Sequence, residues 1–470
     1  MDLTDFIYRK SPIFVQNMIC SAYGYSLKKN RFSSDFFKYL DWLEASQYWG
    51  SQEIYEYKLR ELQRIYQHAY NTVSFYKSRF KAAGLTSNSI HEIEDFKKVP
   101  ILNKENIREH WKDFVSSNTM GTKLIARQTG GTSGKALDFY ATAESTSFQW
   151  AVWWRFRKRF GINFGDKSLN FIGKPVVPIK QKKPPYWRVN KPLNQHLVNM
   201  QHIKLENIKY YVEYINKEQF VFFSGYPSIL YAFCSLVENL GLSIQNPPKI
   251  VFTGAEKLLE YQKSCMERVL QCTVTDQYGF SEGAGNASKC EHDVFHEDFE
   301  FGHLETYKRV QKTPTTFSGE ILATGFANYG MPFIRYNVGD TATWSSEKCL
   351  CGRHSATILN ISGRNEDFII TPEGTSMKVH SYLFKDTREI QECQVVQYKL
   401  GEMVFRIVKR DNYSPLVEKH LIRNVRKWIS PTITVNFEYV DEIERTESGK
   451  FKEVISFLNI NEIKVEADQL

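Results

Sequence analysis

The sequence predicts an α/β protein in three parts: a helical region over residues 1–110, a mixed α/β core over 111–363, and a small α+β domain over 364–470. Three observations carry that division. The chain has 470 residues, more than a single hydrophobic core organises, so two or more domains are expected. Apolar residues recur at helical spacing through the first part, and short apolar runs ending on glycine replace them in the second. Around Gly363-Arg364 the texture changes again, and the remaining stretch is domain-sized.

Each part follows from its local pattern. In SQEIYEYKLRELQRIYQHAYNTVSFYKSRF, the residues Ile54, Tyr57, Leu59, Leu62, Ile65 and Tyr66 repeat at helical spacing. Val99-Pro100 is an extended step, after which Asn103 is placed to cap a helix. Nearer the start, Phe6-Ile7-Tyr8 and Ile13-Phe14-Val15 read as an amphipathic surface helix. It is expected to pack on the protein body, with weak membrane contact as the alternative. In the core, residues 167–173, 220–225 and 249–254 read as strands ending in glycine turns, and 319–324 looks the same. Strand followed by glycine is how α/β proteins bring ligands to the carboxyl edge of a sheet. In the last part, 393–397, 403–408 and 433–437 are strand-like and 415–429 is a basic helix.

Composition narrows the class. A hydrophobic share of 42% and an aromatic share of 14% fill cores of this size, which excludes a disordered chain. The formal charge of +8 is modest and its Lys and Arg are scattered. It serves solubility and suits a polyanionic small ligand, and alone it gives no reason to expect nucleic acid as a partner. No run of about 18 apolar residues occurs, so no transmembrane segment is expected. The first twenty residues lack a basic stretch followed by a continuous apolar one, and the chain reads as cytoplasmic. Its eight cysteines therefore do not imply disulfides.

The chemistry lies in a few short stretches. RQTGGTSGK, residues 127–135, is not a Walker loop, since Thr129 stands where that pattern needs glycine and Ala136 follows the lysine. The residues on either side suit strands. Gly130, Gly131 and Gly134 let backbone N–H groups approach an anion, Thr129, Thr132 and Ser133 add hydroxyl donors, and Lys135 adds charge. The plain alternative is a flexible hairpin turn. Further on come Gly254-Ala255-Glu256, DQYGFSEG at 276–283, RYNVGD at 335–340, SGRNED at 362–367 and ERTESGK at 444–450. Cys290 and His296, with the distant Cys349 and Cys351, supply three thiols and an imidazole, the donors of a closed tetrahedral zinc site. His292 is the alternative imidazole, and free buried thiols are the alternative to a metal. A redox role for Cys349-Leu350-Cys351 is weaker, because that motif is ordinarily C-x-x-C.

These blocks, in this order and over nearly the whole chain, resemble the adenylate-forming superfamily of acyl-CoA synthetases, peptide-synthetase adenylation domains and luciferases. The nearest likeness is to phenylacetate–CoA ligases and related capsular-polysaccharide biosynthesis proteins. The resemblance implies a large adenylate-forming domain and a small mobile C-terminal lid. It implies ATP-dependent activation of a carboxylic acid, pyrophosphate release, and transfer to a thiol, with CoA the usual one, or to an amine carried by a sugar.

The same resemblance assigns roles. Thr129–Lys135 would hold the β- and γ-phosphates; Gly254, Ala255 and Glu256 would form the adenine-contacting turn, with Tyr278 stacked on the base beside Gly279. Ser281, where Thr is common, would touch the α-phosphate, and Glu282 would bind Mg²⁺. Asp340 would accept the ribose hydroxyls, Arg364 would bind ribose or phosphate, and Lys450 would bridge the α-phosphate and the attacking carboxylate. Glu366 stands at the pivot, where Asp or Lys is more usual. Some relatives carry a structural zinc site at the places of Cys290, His296, Cys349 and Cys351. Phe148, Trp150, Trp153 and Trp154 would line the acid pocket or else belong to the core. A nucleotide-binding protein of the same fold without catalysis is the remaining alternative.

Overall fold

The structure, a computed structural model, describes residues 3–119, 123–128, 137–173, 175–362, 368–372, 376–379, 381–384, 387, 389–410, 412–444 and 454–458. The first part is helical: α1 (Leu3–Lys10), α2 (Ile13–Arg31), α3 (Ser34–Ser46), α4 (Ser51–Thr72), α5 (Ser74–Ala82) and α6 (Lys104–His110). The longest, α4, buries Ile54, Tyr57, Leu62, Ile65, Tyr66 and Ala69, the face that helical spacing marks out. Asn103 stands just before α6, but the hydrogen bond runs the other way from a cap: its N–H donates to Asn106 Oδ1 at 3.1 Å.

The segment read as one surface helix is two, α1 and α2, and α2 packs on the body as expected, though not through its largest apolar side chains. Helix α2 packs its polar side on the body, burying Gln16 and Gly24, while Phe14 and Met18 face solvent.

After the helices come β1 (Leu124–Gln128), β2 (Asp138–Thr142) and α7 (Ala143–Arg159). The core continues with β3 (Ser168–Ile172), β4 (Trp187–Asn190), β5 (Gln195–Asn199), α8 (Ile208–Glu218), β6 (Phe222–Gly225) and α9 (Pro227–Asn239). Then follow β7 (Ile250–Gly254), α10 (Glu260–Leu270) and β8 (Thr273–Gly279). Strands β8, β7, β6, β3 and β5 run parallel in that spatial order. Phe222, Phe223, Val251 and Phe252 on these strands are buried, as expected when helices cover both faces. Strand β4 closes one edge antiparallel to β5.

Beyond β8 the sheet turns antiparallel through β9 (Asn286–Lys289), β10 (Phe295–Glu297), β11 (Gly302–Gln311), β12 (Thr316–Gly325), β13 (Tyr336–Ser345) and β14 (Thr357–Ser362). Among the described residues this makes one twelve-stranded sheet in the order β11-β12-β13-β14-β10-β9-β8-β7-β6-β3-β5-β4. Residues 319–324 therefore do not repeat the parallel motif. They lie in β12, paired antiparallel to β11 and β13. An apolar run ending on glycine is the same string in either pairing, and only the partner decides.

The last part holds β15 (Phe368–Ile370), β16 (Ser376–Lys378), β17 (Ile390–Gln397), β18 (Glu402–Lys409), α11 (Leu416–Trp428), β19 (Thr434–Tyr439) and β20 (Val454–Ser456). Its sheet runs β19-β18-β17-β20, with Val417, Leu421 and Val425 of α11 buried.

Buried charge bolts the helical region to the core. Arg155 on α7 donates to Asp298 Oδ1 and Glu300 Oε1, both at 2.6 Å, and Ser46 of α3 donates to the same Glu300 oxygen. Lys58 of α4 pairs with the buried Glu297 at 2.8 Å. Such groups persist inside only because each charge meets its opposite.

Candidate active site

Strands β1 and β2 form an antiparallel pair with Gln128 opposite Asp138, and Gln128 Nε2 donates to Asp138 Oδ1 at 3.0 Å. The stretch between them thus joins strand to strand, whereas a Walker loop opens a helix. Residues 129–135 lie outside the described residues, as do Arg364, Glu366 and Lys450. The frame around them is described. Helix α7 starts directly after β2, with Thr142 Oγ1 accepting from Ser145 N at 3.0 Å. Arg127, the residue before the last of β1, donates from Nη2 to Thr146 Oγ1 in the first turn of α7 at 2.6 Å. Burial pulls its guanidinium below the usual arginine range.

Arg127, Thr146, Gln149, Ser281 and Glu282 surround one cavity of about 10 Å³, the room of a single water. The hairpin and the Ser281-Glu282 pair, far apart in sequence, meet here.

The carboxyl end of β8 carries the second group. Gly279 lies against Asn286, whose Oδ1 would stand 2.5 Å from a Cβ there, so a side chain would push Asn286 off its bonds to Trp153 and Asp298. Glu282 is buried, and Tyr336 OH donates to its Oε1 at 2.7 Å. A carboxylate anchored by one oxygen suits Mg²⁺, which takes few protein carboxylates and completes its shell with phosphate oxygens and water. Tyr278 OH donates to Asp340 Oδ2 at 2.7 Å. The residues expected at adenine and at ribose are in direct contact.

The Gly254-Ala255-Glu256 turn lies beside them, Gly254 being paired with Gln277 of β8. Ala255 takes the left-handed conformation at φ 66°. Glu256 is buried, and its Oε2 accepts from Ser228 N at the start of α9 at 3.1 Å, a favourable place for negative charge. Just below, Asp276 Oδ1 accepts from Thr253 Oγ1 at 2.8 Å. Burial pushes the Asp276 carboxyl from its ordinary 3.8 up to about 7, with the Thr253 hydrogen bond opposing the shift.

Four residues of this site were not singled out from the sequence: Arg127, Thr146, Gln149 and Tyr336. Arg127 and Tyr336 stand inside the RQTGGTSGK and RYNVGD blocks, which is the signal that pointed to them. Thr146 and Gln149 sit one helical turn apart on α7, and nothing local marks them. Arg335, the first residue of RYNVGD, serves the fold instead. It meets Glu305 at 3.0 Å and donates to the carbonyls of Lys97 and Val99. Of the aromatics on α7, Phe148 and Trp154 belong to the core. Trp150 and Trp153 are half-buried, and Trp153 Nε1 donates to Asn286 Oδ1 at 3.2 Å.

A separate cluster is built from the β9–β10 hairpin and the β13–β14 connection. The sulfurs of Cys290, Cys349 and Cys351 and a ring nitrogen of His296 all lie within 4.8 Å of one another. Cys351 Sγ is 3.2 Å from His296 Nε2, and Cys290 Sγ is 3.7 Å from Cys349 Sγ. His292 is not part of the cluster; its backbone N–H donates to Cys290 Sγ at 3.4 Å. Three soft thiols and one imidazole converging from segments some 60 residues apart fit a tetrahedral zinc ion, and the fourth protein donor leaves no open position.

Comparison with known proteins agrees with this picture. A family model described as the CapK C-terminal domain matches residues 369–457. Protein CapK of Staphylococcus aureus is 26% identical over 453 residues, covering 95% of this chain and 98% of that protein. A phenylacetate–coenzyme A ligase of Pseudomonas putida is 22% identical over 422 residues, 86% of each chain. In fold, the chain matches 2-hydroxyisobutyryl-CoA ligase with 2-HIB-AMP and CoA bound in the thioesterification state. The TM-score is 0.58 at 17% identity, covering 90% of this chain and 94% of that one.

Proposed function

We propose that this chain, a member of the adenylate-forming superfamily near the branch of CapK and the phenylacetate–CoA ligases, activates a carboxylic acid as an acyl-adenylate. In this reading an oxygen of the carboxylate attacks the α-phosphorus of ATP, the bond to the β-phosphate oxygen breaks, and pyrophosphate leaves with the electron pair. The sulfur or nitrogen of an acceptor then attacks the acyl carbon, AMP departs, and the acceptor's proton passes to solvent.

The single observation that carries the proposal is the meeting of three distant blocks at the carboxyl end of β8. Tyr278 touches Asp340, Tyr336 anchors Glu282, and Arg127 borders the same cavity as Glu282. Both reactants are anions, so the step depends on positioning and positive charge more than on acid–base groups. Asp340, held by Tyr278, fixes the ribose, while the Gly254-Ala255 turn and the Tyr278 ring hold adenine. Residues 129–135 grip the leaving pyrophosphate, Ser281 contacts the α-phosphate, and Lys450 bridges that phosphate and the incoming carboxylate. Arg364 adds a contact to ribose or phosphate, and Glu366 is the pivot of the small domain. Mg²⁺ held by Glu282 supplies charge neutralisation on the phosphate oxygens. Zn²⁺ held by Cys290, His296, Cys349 and Cys351 supplies a structural cross-link between two loops.

The acceptor divides into two readings. The resemblance of the sequence blocks to capsular-polysaccharide biosynthesis proteins, with similarity to CapK over nearly the full length of both chains, supports the reading of an amine on a sugar. Similarity to phenylacetate–CoA ligases favours CoA, with an aryl acid as substrate. In either case the reaction draws on cytoplasmic ATP.

Pyrophosphate release with a panel of aryl, hydroxy, amino and uronic acids, with CoA or amino sugars as acceptors, tests the proposal. Acid-dependent release that Lys450→Ala abolishes supports it. Release with no acid, or release that Lys450→Ala leaves intact, overturns it. Turnover completed by an amine instead of CoA selects the sugar reading.

A further inference from the structure

Helix α2 turns its polar side toward the protein because that side covers an open sheet edge. Val189 of the edge strand β4 donates from its N–H to Asn17 Oδ1 at 3.0 Å, and its carbonyl accepts from Ser21 Oγ at 3.2 Å. Arg188 Nε donates to Gln16 Oε1 at 2.7 Å. Gly24 lies so close to Asn190 that a Cβ there would stand 1.8 Å from Asn190 Oδ1. Polar side chains thus satisfy an edge that would otherwise pair with another chain. The apolar half of the helix is left outside. Phe14, Met18 and Tyr25, spaced to share one face, are each about two-thirds exposed, and Ile19 and Tyr23, further round the helix, are exposed as well.

The two segments that meet here are rich in basic residues, although Asp35, Asp166 and Glu206 bound them and Lys167 pairs with Glu218. Residues 6–34 and 167–205, which pack together through α2 and β4, hold thirteen Lys and Arg and no Asp or Glu. That exceeds the net +8 of the whole chain. Lys28 and Lys29 end the helix, and Lys180, Lys182 and Lys183 stand exposed on the loop before β4. Arg188 ties that loop to α2, donating to Gln181 Oε1 at 2.7 Å as well as to Gln16.

We propose that this face docks on an anionic phospholipid surface. Helix α2 lies in the interface, with Phe14, Met18 and Tyr25 among the headgroups and the lysines against lipid phosphates. Charge selects this occupant. A second copy would set two predominantly cationic faces, each carrying Lys28, Lys29, Lys180, Lys182 and Lys183, against each other, and they would repel. A nucleic-acid backbone would match the lysines but leave the central apolar row without a partner.

Flotation of the full chain with vesicles tests the proposal. The wild type is expected to float with phosphatidylglycerol–phosphatidylethanolamine vesicles, to lose binding at high salt, and to ignore pure phosphatidylcholine. Phe14→Ser/Met18→Ser/Tyr25→Ser and, separately, Lys28→Glu/Lys29→Glu are expected to weaken binding by about tenfold or more. Unchanged melting temperatures show that both variants fold; should the triple variant melt early, the lysine pair carries the same test. Failure of the wild type to float, or flotation that both variants retain, overturns the proposal. So does a wild-type dimer in light scattering that the triple variant makes monomeric, or duplex DNA binding by the wild type that displaces the vesicles.

Discussion

The buried carboxyl of Asp276 sets up a pH-dependent weakness beneath the proposed nucleotide site. It accepts a hydrogen bond from Thr253, and its titration point lies near 7 against an ordinary 3.8. A carboxyl raised in the fold favours folding most when protonated in both states, so its contribution is whole below 3.8 and is lost as pH rises through 7. Between those values the loss grows by about 1.4 kcal/mol per pH unit. From pH 5 to pH 8 it amounts to roughly 2–3 kcal/mol. Asp276→Asn keeps the shape and an oxygen acceptor for Thr253 but does not titrate in this range. Urea unfolding of both chains at several pH values should therefore show the variant gaining on the wild type by that amount between pH 5 and pH 8. A stability gap that stays constant over this range refutes the reasoning, because a purely steric or hydrogen-bond effect carries no pH dependence.

Other outcomes follow from the same geometry. Tyr278→Phe removes the donor that orients Asp340; a hydrogen bond to a charged group contributes about 1.5–3 kcal/mol. The KM for ATP should rise by about tenfold or more with kcat less affected, and an unchanged KM in a pyrophosphate-release assay counts against the ribose role. Arg155→Met strips Glu300 of its buried charge partner and leaves Asp298 only Arg159 at 3.3 Å; it should destabilise by about 3–5 kcal/mol, read from the urea midpoint. Cys351→Ser should lower zinc content in elemental analysis from one per chain and lower the melting temperature. Wild-type protein without zinc contradicts the metal proposal.

Much of this architecture was legible in the residues because its signals are local. The helical face of α4, the parallel strands β3, β6 and β7 and the basic helix α11 each follow from spacing within one segment. The cluster of Cys290, His296, Cys349 and Cys351 was legible because only a few donor types make such a site. What was not legible depends on partners far along the chain. Residues 319–324 look like another parallel strand and become β12 through pairing with β11 and β13. Helix α2 is foreshadowed by Ile13-Phe14-Val15, but which side faces inward is decided by the bare edge of β4, more than 150 residues away. Lys58 and Arg155 read as ordinary charges on helices until Glu297, Asp298 and Glu300 are brought beneath them. In the candidate site, Thr146 and Gln149 gain meaning only when α7 is laid against Glu282.

The central claim is that a carboxylate takes AMP from ATP, and oxygen transfer tests it most directly. With an acid that supports turnover, labelled with ¹⁸O in its carboxylate, the product AMP should carry a labelled oxygen, because the attacking oxygen stays on phosphorus when the acceptor displaces AMP. Unlabelled AMP, or label found in inorganic phosphate together with ADP, would contradict the account.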